Sequence, residues 1–159
     1  MFTLNTIAGH PMHLSIDPVT DADLPELMPM LRAYCDFYRV DPTDDRLLAL
    51  ATALIENTDE GVQLIARGDG RPLGFATIYW TWQTLHAGRI GVLNDLYVDA
   101  TARGSGTGRA LIERGLQLCR ERGAEKLVWE TAPDNVTAQR LYDGIGASKS
   151  TWLSYELDA

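Results

Sequence analysis

Lysine is almost missing from this chain, and none occurs before Lys126. A phosphate loop ending in Gly-Lys-Ser/Thr needs a lysine beside its glycines, so the P-loop is excluded. Cations as a whole are scarce, with 14 Lys and Arg against 22 Asp and Glu and a formal net charge of -8. Nucleic-acid backbones are held by surplus basic residues, so this balance argues against nucleic acid as a direct ligand and mildly favours a cationic partner. The apolar runs break well short of the roughly 18 residues that suggest a membrane span. Met1 to Met12 lacks the basic region and apolar core of a secretory signal, so an intracellular, cytoplasmic protein is expected. The two cysteines, Cys35 and Cys119, match no metal or redox spacing, and each falls on an apolar helical stripe where packing rather than nucleophilic chemistry is expected. Three histidines, His10, His13 and His86, show no ligand spacing, and no metal is expected.

What is present suits a single domain of 159 residues, with residues 1–12 read as a flexible extension. His13 to Val19 alternates weakly as a first strand, and Thr20 to Asp23 starts a helix running to about Tyr38. Leu47, Leu48, Ala51, Leu54 and Ile55 repeat at helical spacing up to Asn57. Gly61 to Arg67 and Leu73 to Trp82 flank the turn Gly68-Asp69-Gly70-Arg71-Pro72 and read as a hairpin. Arg89 to Val98 follows as a strand, then a helix from Gly106 to Arg122 that stops at Gly123. Lys126 to Thr131 is another apolar strand, a short helix runs from Asp134 or Asn135 to Tyr142, and Thr151 to Leu157 reads as a last strand. The order β-α-α-β-β-β-α-β-α-β predicts a mixed α/β (α+β) fold, with one crossover unit around the glycine-rich stretch.

That stretch, Leu93 to Leu111, couples an apolar strand to a turn carrying Gly104, Gly106 and Gly108 and then to a helix. Glycines allow left-handed dihedrals and close approach, and the amides of Ser105 to Arg109 stand at the positive end of the helix, so a phosphorylated cofactor is expected. The Rossmann pattern fails because Arg109 stands where its third glycine belongs. What remains is Arg-x-x-Gly-x-Gly, at Arg103, Gly106 and Gly108.

This motif resembles the acyl-coenzyme A loop of the Gcn5-related N-acetyltransferase (GNAT) superfamily. Asn135-Val136-Thr137-Ala138-Gln139-Arg140-Leu141-Tyr142, followed by Gly146-Ala147, is similar to a second segment of that superfamily, and the two match in order and spacing over Leu73 to Leu157. Gly144, and Ala147 in place of the commoner Phe, depart from the pattern. Tyr34-Cys35-Asp36-Phe37-Tyr38 with Asp41-Pro42, and Trp80 and Trp82 ahead of the 93–98 strand, resemble the Hpa2-like branch of histone and polyamine acetyltransferases. The resemblance implies a mostly antiparallel sheet of six to seven strands flanked by about four helices. It implies acetyl-coenzyme A as the cofactor, lying between the strand ending at Val98 and the strand ending at Thr131. Its pantetheine arm would pair with backbone at Leu96, Tyr97 and Val98. The pyrophosphate would meet Arg103, Gly104, Ser105, Gly106, Thr107, Gly108 and Arg109, with Asn135 and Tyr142 completing the cofactor site.

Moving an acetyl group from a thioester to an amine needs a neutral amine, a donor to the developing oxyanion and a proton for the departing thiolate. The resemblance implies Tyr142 as the acid, and a phenol of pKa about 10 can protonate a thiolate of pKa about 8.5. It also implies the Val98 N–H as the oxyanion donor. Asp95 and Glu130 are the candidate bases, because each interrupts an apolar strand; structural ion pairing gives the same pattern. Tyr34, Tyr38, Tyr79, Trp80, Trp82 and His86 are the candidate walls of the acceptor site, since aromatic faces attract cationic amines. The expected function is direct acetyl transfer through a ternary complex to a small-molecule or peptide amine, with a non-catalytic acyl-coenzyme A-binding regulator as the alternative. Exposed edge strands near the carboxyl terminus favour a homodimer.

Overall fold

The computed structural model describes residues 3–7 and 10–159. Six strands form one sheet in sequential order: β1 (Thr3–Ile7), β2 (His10–Pro18), β3 (Gly61–Gly68), β4 (Arg71–Gln83), β5 (Gly88–Val98) and β6 (Ala124–Val128). Neighbours are antiparallel from β1 to β5, and β5 and β6 run parallel. Among the described residues four α-helices complete the fold: α1 (Leu24–Tyr38), α2 (Asp44–Glu56), α3 (Thr107–Glu121) and α4 (Val136–Gly144). The mixed, mostly antiparallel architecture expected from the pattern is the one adopted.

Local chemistry accounts for the joints. Asp69 and Gly70 both take positive φ, 50° and 81°, which suits the two-residue turn of the β3–β4 hairpin. Thr43 accepts a bond from the Arg46 amide and so caps α2. Helix α3 ends where Gly123 turns to φ 68°. Two cores sit on opposite faces of the sheet. Helices α1 and α2 bury Leu27, Leu31, Leu47 and Ala51 against Ile65 and Phe75, while α3 buries Leu111, Ile112 and Cys119 against Ala76, Ile78 and Leu93. Arg67 fastens β3 to the start of α1, with its guanidinium on Asp23 at 2.5 Å and Glu26 at 2.6 Å.

Three expectations need correction. Within the stretch read as a flexible extension, Thr3–Ile7 is a strand. The strand expected over 126–131 is Ala124–Val128, leaving Glu130 exposed two residues beyond it. Residues 151–157 form no strand: Leu153, Tyr155 and Leu157 are exposed, because their alternation has no sheet edge bonded to it.

Candidate active site

The site is opened by two irregularities of the sheet. Strands β5 and β6 pair only from Arg89↔Ala124 to Val92↔Val128, so beyond Val92 they part and, among the described residues, the Leu93–Val98 segment of β5 has no paired strand on that side. On its other side β5 pairs with β4, where the register shifts between Thr77↔Asp95 and Ile78↔Leu93, leaving Asn94 as the extra residue of a bulge. The Asp99 amide bonds the Leu73 carbonyl, so in the alternation of an antiparallel ladder the polar groups of Val98 point away from β4 into the parting. The Arg103 Nε at 3.4 Å from the Val98 carbonyl agrees with that direction. Leu96 shares it, while Tyr97 is bonded toward β4 and stacks on Phe75 at 5.7 Å.

The chain leaves Val98 through a turn in which the Asp99 carboxylate accepts from the Thr101 amide at 2.8 Å. Gly104 and Gly106 then take φ 77° and 90°, and a Cβ at Gly104 would meet nothing within 4 Å, so this backbone is open. Ser105 Oγ reaches the Ala102 carbonyl at 2.6 Å and Thr107 Oγ1 at 2.8 Å, fixing the loop from inside. The first intrahelical bond of α3 runs from the Ala110 amide to the Gly106 carbonyl, so the amides of Thr107, Gly108 and Arg109 have no acceptor within the helix. At Gly108 a Cβ would lie 3.2 Å from Leu141 of α4 and 3.5 Å from Val98, so glycine lets the helix start close against both. Arg103 is exposed, and Arg109 is exposed with Glu113 at 2.7 Å. A doubly charged phosphate group fits this open, amide-lined turn.

Above the parting three elements bring tyrosines together. Tyr34 and Tyr38, one turn apart near the end of α1, meet edge to face at 5.0 Å. Tyr79 of β4 lies on the same face. Burial first, and the neighbouring Asp95 carboxylate second, raise the pKa of both Tyr34 and Tyr79. Asp95 therefore faces α1, and its Oδ1 accepts from Asn94 Nδ2 at 3.0 Å. From α4, Tyr142 packs on Trp129 at 5.2 Å; burial, with Tyr38 nearby as the lesser cause, raises its pKa above the usual value. The phenol stays protonated through neutral pH.

The remaining residues named from the sequence lie elsewhere. Asn135 caps α4, accepting from the Ala138 amide at 3.2 Å. Trp80 is on the opposite face of the sheet, buried under α3 with the Arg122 guanidinium 5.0 Å from its ring. Trp82 and His86 sit at the far end of the β4–β5 hairpin, where Trp82 pairs with Arg89 and His86 Nε2 is 2.6 Å from Lys126 Nζ. Arg89 precedes Asp95 by six residues along β5, about 20 Å at strand rise. Sequence reasoning passed over Trp129 and the bulge at Asn94; Trp129 in an apolar run next to a candidate carboxylate was the available signal, whereas the bulge had none.

Residues 26–147 match the model of the acetyltransferase (GNAT) family. The chain belongs to the GNAT family. It is 31% identical over 138 residues to the uncharacterized N-acetyltransferase YhfO of Bacillus subtilis, covering 87% of this chain and 92% of that protein. It is 31% identical to the mycothiol acetyltransferase of Salinispora tropica over 88% of this chain but only 51% of that protein, so it spans about half the length of this relative. Among solved structures, the aminoglycoside N-acetyltransferase AAC(6')-Iy in complex with CoA superposes with a TM-score of 0.83 at 18% identity, over 96% of this chain and 99% of that one, which shows the fold. As a GNAT protein the chain is an acetyl-CoA-dependent N-acetyltransferase. Acetyl-CoA is its cofactor. Among the described residues no helix is long and apolar enough to cross a membrane.

Proposed function

We propose that this GNAT enzyme transfers acetyl directly to a cationic primary amine in a ternary complex, with Asp95 as base and Tyr142 as acid. The observation that carries the reading is the placing of Asp95 beside Tyr34 and Tyr79, and of Tyr142 beside Tyr38, where β5 and β6 part, with the outward backbone of Val98 below. Bound acetyl-CoA would supply an acetyl thioester. Leu96 and Val98 would hold its amide-bearing arm by strand-like hydrogen bonds, and the open amides around Gly104 to Arg109 would hold its pyrophosphate. The Val98 N–H is available as a donor to an oxygen that gains charge in the parting.

Asp95 takes a proton from the incoming ammonium, directly or through water, and Tyr34, Tyr38 and Tyr79 present ring faces that favour a cation. Tyr142 carries the proton for the departing sulfur, and its raised pKa keeps that proton in place. Glu130 remains a second candidate carboxylate, exposed beyond β6. Neither cysteine serves as a nucleophile in this reading: Cys35 and Cys119 are both buried, and burial raises both thiols. Two buried free thiols suit a reducing, cytoplasmic compartment. The open edge of β6 and the exposed Leu153, Tyr155 and Leu157 support a homodimer.

The acceptor class is tested by free-thiol release from acetyl-CoA with spermidine, kanamycin, a lysine peptide and ethanolamine. A polycationic amine is expected to exceed ethanolamine by about tenfold or more in kcat/KM, as a desolvated cation–π contact allows. Equal rates for all four contradict the acceptor assignment. Cofactor binding without release for any amine fits an acyl-CoA-binding protein without catalysis.

A further inference from the structure

A polar row crosses the sheet directly beneath helices α1 and α2. Gln63 of β3 pairs with Thr77 of β4, and Thr77 pairs with Asp95 of β5, so the three side chains stand side by side on one face. Gln63 is 3% exposed and Thr77 0%, among Ile65 and Phe75, which are themselves fully buried. An amide and a hydroxyl in such a place are costly unless bonded, and Leu and Val would pack there without that cost. Asp95 is the single carboxylate in these three strands.

The proton inventory gives the row a direction. Gln63 Nε2 donates to Thr77 Oγ1 at 3.3 Å, while Gln63 Oε1 has no partner among the described residues. While it accepts from this amide, the Thr77 hydroxyl still has its own proton to place, and the amide nitrogen, a donor, does not take it. Directly opposite Thr77 across the ladder stands Asp95, at a Cβ separation of about 5 Å for such a pair. The register shift falls between Thr77 and Ile78, so Thr77 is the last β4 residue in step with the Asp95 side of the bulge. A slip of one residue there would turn Asp95 to the α3 face, away from Tyr34 and Tyr79.

We propose that Thr77, oriented by Gln63, is a positioning residue that holds the Asp95 carboxylate on the α1 face. The proposal rests on the reading of Asp95 as the base. Thr77→Val removes the hydroxyl at nearly constant shape, Thr77→Ser keeps it, and Asp95→Asn removes the charge it serves. Each variant is assayed by thiol release from acetyl-CoA with the fastest amine among spermidine, kanamycin, the lysine peptide and ethanolamine, after CoA binding confirms that it has folded.

Thr77→Val is expected to lower kcat about tenfold with the KM for acetyl-CoA within about twofold, and Thr77→Ser to recover most of the loss. In the Asp95→Asn background Thr77→Val is expected to add nothing, the non-additivity of a pair acting as a unit. Gln63→Leu, expected to act in the same direction, stands in if Thr77→Val does not fold. Full activity of Thr77→Val beside an impaired Asp95→Asn, an equal loss in both backgrounds, or no recovery with serine overturns the positioning role alone. Full activity of Asp95→Asn overturns the base, and the positioning role with it.

Discussion

Tyr142→Phe lowers kcat by about 10²- to 10⁴-fold, the range in which a single positioned acid contributes, while acetyl-CoA binds within a fewfold of the parent protein. The split between the two quantities is the informative part. The ring of Tyr142 packs on Trp129, and phenylalanine keeps that contact, so the cleft wall stays in place and only the hydroxyl proton is lost. The pH dependence carries the same information. Burial first and Tyr38 second raise the Tyr142 pKa, so its folded value lies above the ordinary phenol value of about 10. An acid is useful while protonated, so kcat holds through neutral and mildly alkaline pH, and any alkaline loss due to this group begins above pH of about 10. The check is a kcat profile of the wild type and the variant from neutral pH upward. A variant with full kcat removes Tyr142 from the acid role, and a wild-type limb near pH 8 that the variant lacks contradicts the raised pKa.

The second large effect is at the turn. Gly106 caps α3 with φ 90°, a conformation that a β-branched side chain adopts only with strain. Gly106→Val therefore forces the backbone to move just where the unbonded amides of Thr107, Gly108 and Arg109 begin. A helix start that no longer aims these amides loses charge-assisted bonds to a phosphate, each about twice as strong as a neutral bond. We expect acetyl-CoA affinity to fall about a hundredfold or more, measured by calorimetry, with the thermal shift on adding CoA disappearing. Gly144→Ala serves as the comparison, since a Cβ there meets nothing within 4 Å and leaves the turn untouched. Unchanged CoA affinity in Gly106→Val would mean that the pyrophosphate is held elsewhere.

What could be read from the sequence was whatever local chemistry determines. Positive φ at Asp69, Gly70, Gly104, Gly106 and Gly123 demands residues that tolerate it, so the hairpin turn, the loop and the end of α3 were all visible as glycine-bearing breaks. The apolar stripe of α3 was equally plain. Pairing was not legible. Trp80, Trp82 and Tyr79 are adjacent in sequence, yet alternation sends Trp80 under α3, and distance along the strand carries Trp82 to the far end of the hairpin. The bulge at Asn94 arises from the match between β5 and β4, and nothing in Leu93-Asn94-Asp95 announces it. Alternation over Leu153, Tyr155 and Leu157 has the period of a strand, but a strand also requires a free neighbour, and that requirement is not written locally. Tyr34 and Tyr38 were within reach from helical spacing, because residues four apart share a face.

The most direct measurement is the crystal structure of the protein with CoA. The pyrophosphate is expected against the backbone of Gly104 to Arg109, the pantetheine arm along Leu96 to Val98, and the sulfur between the Val98 amide and the Tyr142 hydroxyl. A CoA molecule bound outside the parting of β5 and β6, or one whose sulfur lies beyond hydrogen-bond reach of Tyr142 while Tyr142→Phe is fully active, would contradict it.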